Sequence, residues 1–130
     1  MENKVNEPTS LRPGGERVLN APLVKMDLDK YMEQIKSEKT WKEGALNSIT
    51  IFKSSAMRIV LIGMRKAAIL KEHSADAVIS VQLLKGNIRF LTEKENIILT
   101  QGQMIALHDN LPHSVDALEE SFFLLTLATK

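Results

Sequence analysis

Three histidines and no cysteine set the limits of the side-chain chemistry in this chain. His73 and His113 are the two candidate site residues; His108 sits in a turn before Pro112 and is expected to face solvent. A neutral imidazole can ligate a divalent metal or move a proton near neutral pH, and a protonated one can hold a carboxylate. Zinc, iron, manganese or nickel needs three or four protein donors for tight binding. Two imidazoles supply half of that. Glu72 neighbours His73, but strand pleat throws it to the opposite face, and only Asp76, in a loop, can curl in. The absence of cysteine removes disulfides, thiolate zinc sites and thiol nucleophiles together. Arg12-Pro13-Gly14-Gly15 lacks the strand, lysine and helix of a phosphate loop. No serine lies in a nucleophile elbow. Glu119-Glu120 precede Ser121 in an expected hairpin turn, so they read as a solvated turn and not as a catalytic pair.

These residues must be positioned by a chain of 130 residues, 44% of them hydrophobic, enough for one buried core. Lys and Arg number 17 against 16 Asp and Glu, and both signs are spread evenly along the chain. That leaves no basic excess for nucleic acid. Arg65-Lys66 is too short a basic step to change this. No apolar run reaches the roughly 18 to 20 residues that cross a bilayer. Met1-Glu2-Asn3-Lys4 is not a basic-then-apolar secretory start. The expectation is a cytoplasmic protein with neither nucleic acid nor membrane as partner.

Residues 1–17 carry few apolar side chains and no period, and are expected to form a flexible arm. Residues 18–44 are expected to be a helical segment packed on the rest. Within it Leu28, Tyr31, Met32 and Ile35 make one apolar stripe at helical spacing, with Asp27 as N-cap, Ser37 starting a second short turn, and Gly44 as stop. After Gly44 the period changes. Nine short apolar runs follow, from Ile49–Phe52 to Phe122–Ala128, with turn chemistry at Lys85-Gly86-Asn87, Thr92–Glu95 and Thr100–Gly102. This predicts an all-β sandwich or barrel over 45–130. Met57–Ile62 and Phe122–Leu125 are apolar on both phases. Such strands need cover on both faces, from the helix or from a second subunit, so a homodimer is expected.

The stretch from Ala67 to Ala117 resembles the cupin superfamily. The first segment reads AAILKEHSADAVISVQLLKG, with His73 on the first histidine position, Ala75 on the second, Ile79 where a glutamate is expected, and Gly86 closing. The second reads GQMIALHDNLPHSVDA, with Gly102 and His113 matching, His108 in place of proline, Asn110 in place of a glycine, and Ala117 in place of the final asparagine. Asn tolerates φ > 0, so the turn at Asn110 is expected to survive.

The resemblance implies a cupin-like double-stranded β-helix, a jelly-roll barrel, with an N-terminal helical addition. It also implies that His73 and His113 face each other inside the barrel mouth, near Ile79 and Val81. Only two of the four usual ligand positions remain, which makes the hollow drier. Met104 is expected to line it with a polarizable sulfur. Three functions stay open: a small-molecule binding module; a metal-dependent dioxygenase, isomerase or lyase using His73 and His113; or a structural or regulatory scaffold. The sequence leaves undecided whether the chain is an enzyme.

Overall fold

A computed structural model describes residues 4–6 and 17–129. The arm expected over 1–17 therefore lies outside the described residues, except for Lys4–Asn6 and Arg17. Those form β1 (Lys4–Asn6) and the start of β2 (Arg17–Asn20), an antiparallel ribbon.

The helical segment expected over 18–44 is shorter: residues 18–20 lie in β2, 21–27 are irregular, and two helices follow, α1 (Leu28–Ser37) and α2 (Lys39–Glu43). Asp27 caps α1, its carboxylate accepting from the Lys30 amide at 3.2 Å, as its position predicts. The break falls at Glu38, not at Ser37, because Glu38 is extended, with ψ 149°. Met32, Ile35 and Trp41 turn inward, and Trp41 stacks on Phe122 with ring centroids 5.6 Å apart. Buried Asn47 fastens the helix end by donating to the Ile35 carbonyl at 3.1 Å, which also accepts from the Glu38 amide at 3.4 Å.

Nine further strands follow: β3 (Leu46–Lys53), β4 (Met57–Met64), β5 (Ile69–His73), β6 (Ala77–Lys85), β7 (Asn87–Leu91), β8 (Asn96–Thr100), β9 (Met104–Leu107), β10 (His113–Ala117) and β11 (Ser121–Thr129). Each matches one of the nine apolar runs, with boundary shifts of a few residues. They form a four-stranded sheet, β5-β10-β7-β8, and a five-stranded sheet, β3-β4-β11-β6-β9, antiparallel throughout. This is the expected jelly-roll barrel.

Alternation places the core. Ile79, Val81 and Leu83 of β6, Val115 and Ala117 of β10, and Phe123 of β11 face inward between the sheets. A second cluster fills the space under the helices, where Ile49, Ile51, Leu61 and Phe122 meet Ile35 and Trp41. The doubly apolar runs thus contribute to both clusters, and the N-terminal helices supply the outer cover on that side. Among the described residues no helix is long and apolar enough to cross a membrane.

Candidate functional site

Three loops close one end of the barrel: residues 74–76 between β5 and β6, 92–95 between β7 and β8, and 108–112 between β9 and β10. The Asn110 amide donates to the Ala75 carbonyl at 2.8 Å and ties the first loop to the third. Asn110 reaches that bond with φ +62°, the left-handed conformation its side chain tolerates. The tie matters because His73 ends the strand before one loop and His113 begins the strand after the other.

The two imidazoles meet. His113 pairs with His73 in the β10–β5 register, and their ring centroids lie 4.3 Å apart, edge to face. The His73 ring is oriented by its own strand and the His113 ring by the loop that precedes its strand. The His73 Nδ1–H donates to the Lys71 carbonyl and the His113 Nδ1–H to the Leu111 carbonyl, both at 2.8 Å. A carbonyl can only accept, so Nδ1 carries the proton in both rings and Nε2 is the lone-pair nitrogen. Arg89 Nε is the sole buried side-chain polar atom without a partner among the described residues, so the His113 Nε2 keeps some contact with solvent.

The environments of the two rings differ. His113 is 4% exposed and stacks on Phe90, with centroids 5.2 Å apart and planes at 16°. Burial lowers its pKa below the usual 6.5; the Leu111 carbonyl opposes that shift, and the neighbouring His73 adds to it by charge repulsion. His73 is exposed, because β5 ends there and the pairing with β10 is irregular just beyond. The pair therefore stands at the rim, with one ring in and one ring out. The sequence expectation placed both inside.

The remaining expected residues divide. Ile79 and Val81 face inward, at 3% and 2% exposure, within the main core. Met104 does not line the hollow. In β9 it is Ile105 and Leu107 that point inward, so the pleat turns Met104 out, where it is 56% exposed. His108 is exposed, yet it borders a cavity of about 460 Å³ at the same end of the barrel. Phe90, Ile97, Ile105 and Leu107 give that cavity an apolar floor, and Glu95, His108 and Asp109 stand on its wall. Phe90 is shared, stacking on His113 and lining the cavity. Phe90 was legible from the alternation of β7, where Ile88 and Phe90 share the inward phase; the cavity wall from Glu95, Asp109 and Leu111 had no such signal. A groove of about 510 Å³ at the start of α1 is bordered by Lys25, Asp27, Asp29 and Lys85 and includes neither imidazole.

The donor set does not fit a resident divalent metal. No group of three or more His, Cys, Asp or Glu side chains converges among the described residues. Tight metal sites need that third donor. Asp76 is exposed in its loop and does not supply it.

No protein-family model matches the chain, and no curated protein matches it. Solved structures do. A cupin-2 domain protein from Shewanella frigidimarina is 13% identical, with TM-score 0.64 over 79% of this chain and 93% of its own. A cupin superfamily protein from Desulfitobacterium hafniense is 13% identical, with TM-score 0.64 over 65% and 78%. The chain has the cupin fold. A conserved protein of unknown function from Streptococcus pyogenes is also similar, at 22% identity and TM-score 0.62 over 65% of this chain and 75% of that one. In this cupin barrel the positions of Ala75 and Ile79, where the superfamily pattern has donors, hold side chains packed on or in the core.

Proposed function

We propose that the protein is a small-molecule binding module whose ligand spans the His73–His113 pair and the adjoining cavity. The observation that supports this is the ring of Phe90, which stacks on His113 and also lines an apolar cavity of about 460 Å³, although neither imidazole of the pair lines that cavity itself. That volume suits a small organic molecule. The chemistry suits an apolar body with a weakly acidic group. A neutral Nε2 accepts a hydrogen bond from an acid or phenol, and a protonated ring pairs with the conjugate base.

The test uses benzoate as probe, with benzyl alcohol as the uncharged control. Imidazole ¹⁵N spectra followed during titration should show Nε2 of both rings and the Phe90 ring resonances moving with benzoate. His113→Ala should remove the response. The reading fails if benzoate moves neither imidazole at millimolar concentration, or if the response survives His113→Ala.

A second reading, a metal-dependent enzyme acting on a small metabolite, has one observation in its favour. Metal-ligating histidines usually donate their second nitrogen to a carbonyl or carboxylate, and both rings do so. Near-stoichiometric metal in protein purified from cells, lost together with any activity in His113→Ala, would establish it. Protein that carries no metal after purification rules it out.

A further inference from the structure

Among the described residues the two large sheets end in four edge strands, and two of these are blunted. β5 carries Lys71 and Glu72 and pairs irregularly with β10. β3 is bulged between Thr50 and Phe52 and ends in Lys53. Charges and bulges are how native sheets discourage further pairing. The opposite edges have neither. β8 reads NIILT and β9 reads MIAL, both uncharged, free of proline and regular in register. The two strands leave the turn at residues 101–103 into different sheets. Both line the cavity of about 460 Å³, Ile97 from β8 and Ile105 and Leu107 from β9.

Bonded and non-bonded residue pairs alternate along an antiparallel ladder, so one hydrogen bond fixes the phase of the rest. At the β7–β8 hairpin the Thr92 amide donates to the Glu95 carbonyl at 2.9 Å. Phe90–Ile97 and Ile88–Leu99 are therefore the bonded pairs, and Asn96, Ile98 and Thr100 turn their amides and carbonyls away from β7. Thr100 agrees with this phase. Its amide donates to the Gln103 side chain at 2.9 Å, and its carbonyl accepts from the Gln103 amide at 3.0 Å. The edge groups of Asn96 and Ile98 have no protein partner among the described residues, and both residues are exposed. On β9 the phase is set by Leu83, which accepts from the Gly102 amide and donates to the Gln103 carbonyl, each at 2.9 Å. Ala106 therefore turns its own amide and carbonyl away from β6.

We infer that the β8 edge takes up an extended segment of another protein as a further strand, with one apolar side chain of that segment seated in the cavity. The edge groups of Asn96 and Ile98 repeat at about 6.7 Å, the two-residue repeat of an extended chain. Main-chain bonds of this kind supply affinity, and the pockets for alternate side chains supply specificity. The residue opposite Ile98 bonds to it and lies beside the Ile98 side chain on the outer face, where that side chain is 52% exposed. The residues on either side of it point the other way, toward Ile97 and the cavity. Glu95 and Asp109 put carboxylates on the cavity wall, and neither lysine nor arginine lines it. Lys94 borders a neighbouring cleft with Glu93 instead. The segment therefore carries an apolar residue and, two positions away on the same face, Lys or Arg. A second copy of β8 has no cation to offer these carboxylates, which favours a basic foreign segment. Neither imidazole lines the cavity, so the inference stands apart from the reading above.

The probe is the blocked peptide acetyl-Thr-Leu-Thr-Lys-Thr-amide, added to the full chain up to about 1 mM. Binding is read from ¹H–¹⁵N amide spectra of the protein and from the anisotropy of a labelled copy of the peptide. The Asn96 and Ile98 amides should move on addition. N-methylating the middle threonine removes a donor that faces the edge and should weaken binding about tenfold. Glutamate in place of the peptide lysine should weaken it about threefold, a difference that Glu95→Gln should narrow. Ile98→Pro removes the edge amide without costing a bond of the β7 ladder and should abolish binding. Should that variant unfold, Ile98→Lys blunts the same edge and should weaken binding about tenfold. No binding at the highest concentration overturns the inference, as does equal binding of the methylated peptide. Edge amides that move with protein concentration and not with peptide mean that two copies pair through β8, which overturns it as well. The response of the imidazoles to benzoate has no bearing on these outcomes.

Discussion

Ile79 stands where the resemblance to the cupin pattern implies a glutamate and is 3% exposed in the main core, so replacing it with glutamate tests why the described residues gather no third donor. Two costs follow from the burial. Removing the buried Ile side chain gives up about 1.5–3 kcal/mol of transfer free energy. Keeping the introduced carboxyl neutral at pH 7, against an ordinary value near 4.3, costs about 2.7 pK units, or about 3.7 kcal/mol. The sum, about 5–7 kcal/mol, is comparable to the whole stability of a domain, about 5–15 kcal/mol. Escape of the carboxylate toward the rim would lower it. At about 4 °C per kcal/mol for a chain of this size, Ile79→Glu should lose roughly 20 °C of melting temperature without metal. Zinc should reverse part of the loss once Ala75→His adds a third imidazole. Ligand at 100 times Kd restores about 2.7 kcal/mol, and at 1,000 times Kd about 4.1 kcal/mol. The assay is differential scanning calorimetry of wild type, single and double variants, with EDTA and with excess zinc. The wild type should show little zinc dependence and the double variant a rise of roughly 10 °C or more. A single variant as stable as the wild type refutes the dry interior. A double variant indifferent to zinc refutes the convergence of these positions on one point.

Other consequences can be checked more simply. The lowered pKa of His113 means that the unfolded chain binds more protons once pH falls below about 6.5. Stability should therefore be full above that value and decline as pH drops from there through the folded pKa, and His113→Phe should flatten the slope in urea titrations at pH 7.5, 6.0 and 5.0. A slope unchanged in the variant refutes the assignment. Gly63→Ala would put a Cβ 2.8 Å from Phe122 Cε1 and 3.0 Å from Ile35 Cγ2, overpacking the helix–sheet contact. It should cost about 1–3 kcal/mol, read as a lower urea midpoint. Asn110→Val forces a β-branched residue to φ +62° and should cost about 1–2 kcal/mol, while Asn110→Gly should be nearly neutral. If Val and Gly behave alike there, the loop tie through Ala75 is not strained by the left-handed turn.

Period-two alternation made the barrel legible. His113, Val115 and Ala117 share a phase, as do Ile79, Val81 and Leu83, and both sets face inward in the structure. The Asp27 cap and the left-handed turn at Asn110 were legible for the same reason, since each rests on local chemistry. Met104 and His73 mark where local rules end. Met104 was grouped with the hollow by its sulfur, yet its phase in β9 was opposite to that of the inward Leu107, and phase decides orientation. His73 has a partner set by register, but its exposure depends on where β5 stops, which only the packed neighbours fix. The cavity is less legible still. Its walls come from three loops, and loop conformation is set by contacts between them such as Asn110 to Ala75.

The two rim imidazoles and the apolar interior are linked by one physical constraint. A carboxylate inside this barrel needs a cation or several donors to offset its desolvation. With Ala75 and Ile79 where the resemblance implies donors, two rings remain among the described residues, and two neutral rings cannot offset a buried charge. Protonating both is opposed by their 4.3 Å separation and by the burial of His113. A single proton on the pair is therefore its favoured charged state. A single positive charge at the rim beside an apolar floor matches a ligand with one acidic group at its edge and an apolar body below. It does not match a dianion, which would leave a charge unpaired above Phe90 and Leu107. Benzoate should accordingly bind more tightly than phthalate. Equal affinity for the two would refute the single-charge argument while leaving the fold and the cavity as they are.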